Sequence, residues 1–185
     1  MRVRWGLAIL LLSGCGGTPQ SATDGQPSGS LLDAVSIEHP VDMQTVKTDS
    51  CFVWLSNGDA FRQRNLCLYS YRGERLDGVE LVEKRDSVMQ LHVKGATDSI
   101  YMTTVRRSVS YALTHANGIR RLKLSGLWQM EGDAMGGPFV CCAVVDSLRH
   151  RVVVADGFVY APGRKKQDMV RRLSEIVESI NIINK

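Results

Sequence analysis

The sequence predicts an α+β domain: an antiparallel sheet of about six to eight strands with two helices packed on it. Three observations predict it. Short runs rich in β-branched and aromatic residues recur along the chain, separated by Gly, Asn and Asp turn signals. Two longer segments change to apolar residues at three- and four-residue spacing. The order is strands, helix, strands in series, helix, with no internal repeat, so one domain over residues 31–185 is the economical reading.

Val35 to Glu38 reads as a short first strand ended by Pro40. Phe52 to Ser56 (FVWLS) and Leu66 to Tyr71 (LCLYSY) are strand-like, and Asn57-Gly58-Asp59 marks a turn between them, so they pair as a hairpin. From Leu76 to Val93 the pattern is helical. Val79, Val82, Met89 and Val93 mark its inner face, with Leu81 and Val88 beside them, and Lys84-Arg85-Asp86 is expected on the solvated side. Gly95 breaks this helix. Ile100 to Val105 and Val109 to Leu113 are the next strands, and His115-Ala116-Asn117-Gly118 is a turn. Leu122 and Leu124 alternate with Arg121, Lys123 and Ser125, which gives a strand with one wet face running on to Met130. Gly132 to Pro138 is expected to form a wide turn. Phe139 to Val145 and Arg151 to Tyr160 make the last hairpin. After Ala161-Pro162, the residues Met169, Val170, Leu173, Ile176, Val177 and Ile180 trace the clearest helix in the chain.

The N-terminal segment carries a strong targeting signal. Arg2 and Arg4 form a basic start, Leu7 to Leu12 an apolar stretch too short to span a bilayer, and Leu12-Ser13-Gly14-Cys15 resembles a bacterial lipobox. Residues 1–14 are therefore expected to be a lipoprotein signal peptide and Cys15 the lipidation site, anchoring the chain to the lipid bilayer. Residues 16–30, rich in Gly, Ser, Thr, Gln and Pro, read as a flexible tether. Gly16, not Asp, follows the cysteine, which favours the outer membrane. Asp24 is the one acid in the tether, which favours its periplasmic face.

Charge and motifs exclude several function classes. The formal charge of +4 falls to +2 once Arg2 and Arg4 are removed, too little to indicate a nucleic-acid surface. There is no CxxC, so neither a thioredoxin-like pair nor a zinc ribbon is indicated. Cys141 and Cys142 are adjacent in a strand and point to opposite faces. A Cys51–Cys67 disulfide is possible across the first hairpin, but buried unpaired thiols are the simpler reading. His39, His92, His115 and His150 are scattered, and Asp133, Asp146 and Asp156 are expected near strand ends in turn and cap roles. GxSxG, P-loop and GxGxxG motifs are missing, so no catalytic residue, metal or cofactor is assigned.

Two stretches hold candidate contact residues. One is the DAMGGPF segment, where Met135, Gly136, Gly137, Pro138 and Phe139, flanked by Trp128 and Met130, could present an apolar surface. The other is Arg164-Lys165-Lys166 at the start of the last helix, a candidate anion contact for a headgroup, a phosphate or an acidic protein.

The segments FVWLSN, KRDSVM, YMTT, GLW, MGGPFV and GFVYAPG, spread from Phe52 to Gly163, together resemble an uncharacterised lipoprotein family of Bacteroides-type bacteria, domain of unknown function 4837. The family pattern has Ser-His after MGGPFV where this chain has Cys141-Cys142, so no histidine role carries over. The resemblance implies an envelope location and a fold but no reaction. The order of elements also looks like the PsbP-type and DcrB-type sandwich, an analogy of architecture alone. The expected function is non-catalytic: an envelope lipoprotein that binds another envelope component, such as an envelope protein, or alternatively a periplasmic small-ligand-binding module.

Overall fold

The computed structural model describes residues 31, 35–116 and 118–183. The expected signal segment, Cys15, the tether and Asn117 lie outside those residues. The first strands are β1 (Val35–Ser36), β2 (Gln44–Asp49), β3 (Phe52–Ser56) and β4 (Gln63–Arg72), followed by helix α1 (Gly78–His92). Next come β5 (Tyr101–Thr104), β6 (Ser110–Ala116), β7 (Ile119–Glu131), β8 (Gly136–Asp146) and β9 (Arg151–Tyr160), then α2 (Gln167–Glu178) and β10 (Asn181–Ile182). No helix among the described residues is long and apolar enough to cross a membrane.

Eight strands form one antiparallel sheet, in the order β2-β3-β4-β9-β8-β7 with β5 and β6 sharing the outer side of β7. β5 pairs with residues 128–131 of β7 and β6 with residues 119–125, so the two short strands lie end to end. β1 and β10 pair separately, Val35 opposite Ile182 and Ser36 opposite Asn181. The α+β class, the strand number and the two helices are as the sequence predicts.

Each face of the sheet buries its own core. On one, α2 packs Leu173, Ile176 and Val177 over Val140, Cys142, Val144, Val153 and Ala155. On the other, α1 places Leu81, Val82 and Met89 over Cys141, Ala143, Val152, Val154 and Phe158. β9 is buried at every residue but its last because both faces are covered, which explains its nearly continuous apolar run. Cys141 and Cys142 face opposite cores, as strand alternation requires.

Several expectations are corrected. The turn after β7 is shorter than Gly132–Pro138: Gly136, Gly137 and Pro138 already belong to β8, with Gly137 opposite Trp128 and Pro138 opposite Leu127. β2 was not foreseen, because all six of its residues are exposed and it shows no apolar alternation. Helix α1 is capped by Asp77, whose carboxylate accepts from Val79 N and Glu80 N, both at 2.9 Å. Val82, Met89 and Val93 are buried on its inner face as expected, but two residues depart from the reading. Val79 is 61% exposed, whereas Arg85, expected in solvent, is fully buried beside Leu81, Val82 and Met89. Asp156 is also fully buried in the middle of β9, not at a strand end. Asp146 does take a cap role, accepting from Arg149 N at 3.3 Å, and Asp133 accepts from Ala134 N within its turn.

Cys51, Cys67, Cys141 and Cys142 are all free. The hairpin register sets Trp54, not Cys51, opposite Cys67, which removes the possible disulfide. Burial pushes the Cys142 thiol up to about 11, and burial raises Cys67 and Cys141 well above the usual thiol value. We expect iodoacetamide at neutral pH to alkylate Cys51 in the folded protein and the other three only in denaturant, as read by peptide mass spectrometry. Labelling of Cys141 as fast as Cys51 would show that this core is open.

Candidate functional site

The most concentrated polar chemistry lies beneath α1. Arg85 Nε donates to Asp156 Oδ2 at 2.7 Å and Nη2 to Asp156 Oδ1 at 3.3 Å. Its Nη1 donates to Thr104 Oγ1 at 2.8 Å, and its Cζ stands 3.9 Å over the Phe139 ring. Burial raises the Asp156 carboxyl above its ordinary value, while the guanidinium pulls it back down. Neither side chain has any solvent exposure, so no substrate reaches them in this conformation. The pair acts as a structural clamp joining α1, β5 and β9.

The candidate contact residues around DAMGGPF do not form an exposed apolar surface. Trp128, Met130 and Phe139 are buried because they face the α1-side core, against which Met135 also packs. Gly136 and Gly137 serve close packing: a Cβ on Gly137 would stand 2.1 Å from the Val159 carbonyl oxygen, and one on Gly136 2.9 Å from the Trp128 carbonyl oxygen. This close approach lets the Trp128 indole donate to Val159 O at 3.2 Å. Pro138 differs from its neighbours. The ladder to β9 starts only at Phe139, since proline has no N–H to contribute.

Pro138 instead lines an open cleft of about 810 Å³ together with Arg164, Lys165, Lys166, Val170 and Arg171. The chain reaches this cleft from β9 through Gly163, whose φ of 67° turns it toward α2. The two separate sequence candidates thus meet at one place. Lys166 Nζ donates to the Arg164 carbonyl at 3.2 Å, and Arg171 pairs with Asp168 at 3.0 Å. Arg164 and Lys165 have no acidic partner among the described residues, whereas Arg172, on the same helix, is held by Glu38 and Glu175. Four cations against one carboxylate, around an apolar strip of Pro138 and Val170, suit a ligand with both negative charge and apolar surface. Arg171 had no part in the sequence reading; its signal was a position one turn beyond the basic run.

A second cavity of about 400 Å³ lies between residues 35–40 and the β3–β4 face, floored by Val53, Leu55, Leu66 and Leu68. Glu38 and His39 stand among its polar lining groups.

Comparisons place this geometry among known proteins. The model of a family described as Domain of unknown function (DUF4837) matches residues 32–179. No curated protein matches the chain. Among solved structures, the Ran-binding protein Mog1p of Saccharomyces cerevisiae is similar in fold. It has a TM-score of 0.52 and 10% identity, over 84% of this chain and 94% of that one. A point mutant of the protein Mog1 gives a TM-score of 0.51 at 10% identity, over 83% and 93%. At that identity the likeness concerns the fold alone. By the extent of the family match, the chain belongs to the DUF4837 family.

Proposed function

We propose that this member of the DUF4837 family is a non-catalytic envelope lipoprotein, held to the periplasmic face of the outer membrane by acylated Cys15, whose folded domain binds an anionic envelope component. The lipobox-like Leu12-Ser13-Gly14-Cys15 supports the anchor. The observation that carries the binding reading is the cleft at α2, where Arg164 and Lys165 stand without acidic partners among the described residues, beside Pro138 and Val170. Each such cation contributes about 1 kcal/mol beside an anionic surface. Mild crosslinking in native membranes, followed by purification of the lipidated chain, tests it. An Arg164→Glu/Lys165→Glu/Lys166→Glu variant is expected to lose its co-purifying anionic component about tenfold or more, and added salt to weaken binding by the wild type. Equal recovery from both proteins would end the reading.

The second reading, a small-ligand-binding module, draws support from the apolar cavity beside β3 and β4, whose size falls in the range of ligand sites. Mass spectrometry of small molecules carried by the purified protein distinguishes the two. A stoichiometric apolar ligand retained by the charge-reversed variant would favour the cavity.

A further inference from the structure

The outer edges of the sheet are not alike. β2 closes one side with a register shift between Thr45 and Lys47, and it carries Lys47 and Asp49. A bulge and charges are devices that discourage another strand from adding. On the other side, β5 is covered by the chain leaving α1: Gly95 N donates to Ile100 O at 2.7 Å and Met102 N to Val93 O at 3.3 Å. β6 has none of these protections. Its sequence, SYALTHA, contains no proline and no Lys, Arg, Asp or Glu, and its register with β7 is unbroken over seven residue pairs. Among the described residues, β7 is its one strand partner.

Its side chains add to the exposed edge. Tyr111 is 63% and Leu113 58% exposed, and alternation puts both on the same face of the sheet. The Tyr111 ring lies against Gly78 at the start of α1, next to exposed Val79. An unguarded strand edge with apolar residues beside it is a template for strand addition.

We propose that β6 pairs antiparallel with β6 of a second copy about a two-fold axis at Leu113, joining two sheets into one. The strand is self-complementary in that register. Leu113 stands opposite itself, Tyr111 opposite His115, Ala112 opposite Thr114 and Ser110 opposite Ala116. No acidic or lysine/arginine side chain of β6 meets its like across the axis, and an isologous interface requires one patch to complement itself. The interface uses the β6 edge and none of Arg164, Lys165 or Lys166, so its failure leaves the anionic-component reading untouched.

The axis makes a specific test possible, because residue 113 faces itself. Two differently tagged full-length copies are co-expressed and one is purified from membranes. Leu113→Lys in both copies, or Leu113→Glu in both, is expected to lower recovery of the second tag about tenfold, whereas Lys in one copy and Glu in the other restores it. The side chain is exposed, so the substitutions leave folding intact. In a Cys51→Ser background, Leu113→Cys is expected to give a disulfide-linked dimer on a non-reducing gel, because directly opposed strand residues lie within disulfide reach. Val46→Cys, on the guarded edge, gives none. Failure of the wild-type copies to recover each other, or equal recovery by every charge combination, overturns the proposal.

Discussion

Arg85→Met is expected to destabilise the domain by about 3–5 kcal/mol, a fall of roughly 6–20 °C in Tm for a chain of this size. The loss comes from Asp156. Its carboxylate stays fully buried, and it loses both the 2.7 Å and 3.3 Å bonds to the guanidinium. Most of the cost of an unpaired buried charge is desolvation that nothing now offsets. Replacing both partners, Arg85→Met with Asp156→Leu, removes the charges together and is expected to recover most of the loss. The defect also depends on pH. Without Arg85, the main influence that lowers the Asp156 carboxyl is gone, and burial, with Asp86 adding to it, raises the group further above the unfolded value. The folded variant then holds a proton that the unfolded chain has released, so stability falls as pH rises from about 4. The deficit of Arg85→Met relative to wild type should be larger at pH 7 than at pH 5. Thermal melts at both pH values decide this, and a single variant no less stable than the double would refute the clamp.

Gly137→Ala is expected to cost about 3 kcal/mol or more, although it adds one methyl group. The new Cβ would meet the Val159 carbonyl oxygen at 2.1 Å, a backbone atom that cannot swing aside like a side-chain tip. Relieving the clash must part β8 from β9 there, which breaks the Trp128 Nε1 bond to Val159 O. Gly73→Ala is the control. Its nearest neighbours are side-chain atoms of Val152 and Tyr71 at 3.3 Å or more, and its cost should be far smaller. Urea unfolding of both variants checks the contrast; equal midpoints would mean the strands separate at no cost.

The parts of the fold legible in the sequence are those where burial leaves a period. β3 and β9 fall on Phe52–Ser56 and Arg151–Tyr160 as expected, and α2 follows its apolar stripe. β2 left no trace because an exposed edge strand needs no apolar alternation. Arg85 was misread for a related reason. Its neighbours Lys84 and Asp86 suggest a solvated run, yet it falls in the helical stripe of Leu81, Val82 and Met89. Asp156 likewise breaks the apolar run of β9. Two charges of opposite sign, each at a position whose period calls for a hydrophobe, are the signal that could have found the pair. The α2 cleft was half legible: Arg164, Lys165 and Lys166 were marked from sequence, but Pro138, 26 residues earlier, joins them only through the β8–β9 fold.

Cys141 and Cys142 occupy one peptide yet answer to different helices, Cys141 to α1 and Cys142 to α2. That makes them a built-in pair of clocks for partial opening. If α2 lifts from the sheet while α1 stays docked, Cys142 becomes reactive and Cys141 does not; release of α1 alone reverses the order, with Cys67 following Cys141. Global unfolding exposes all three at one rate. The ratio of two labelling rates on a single fragment therefore reports, without any engineered probe, which layer of the domain is loosest.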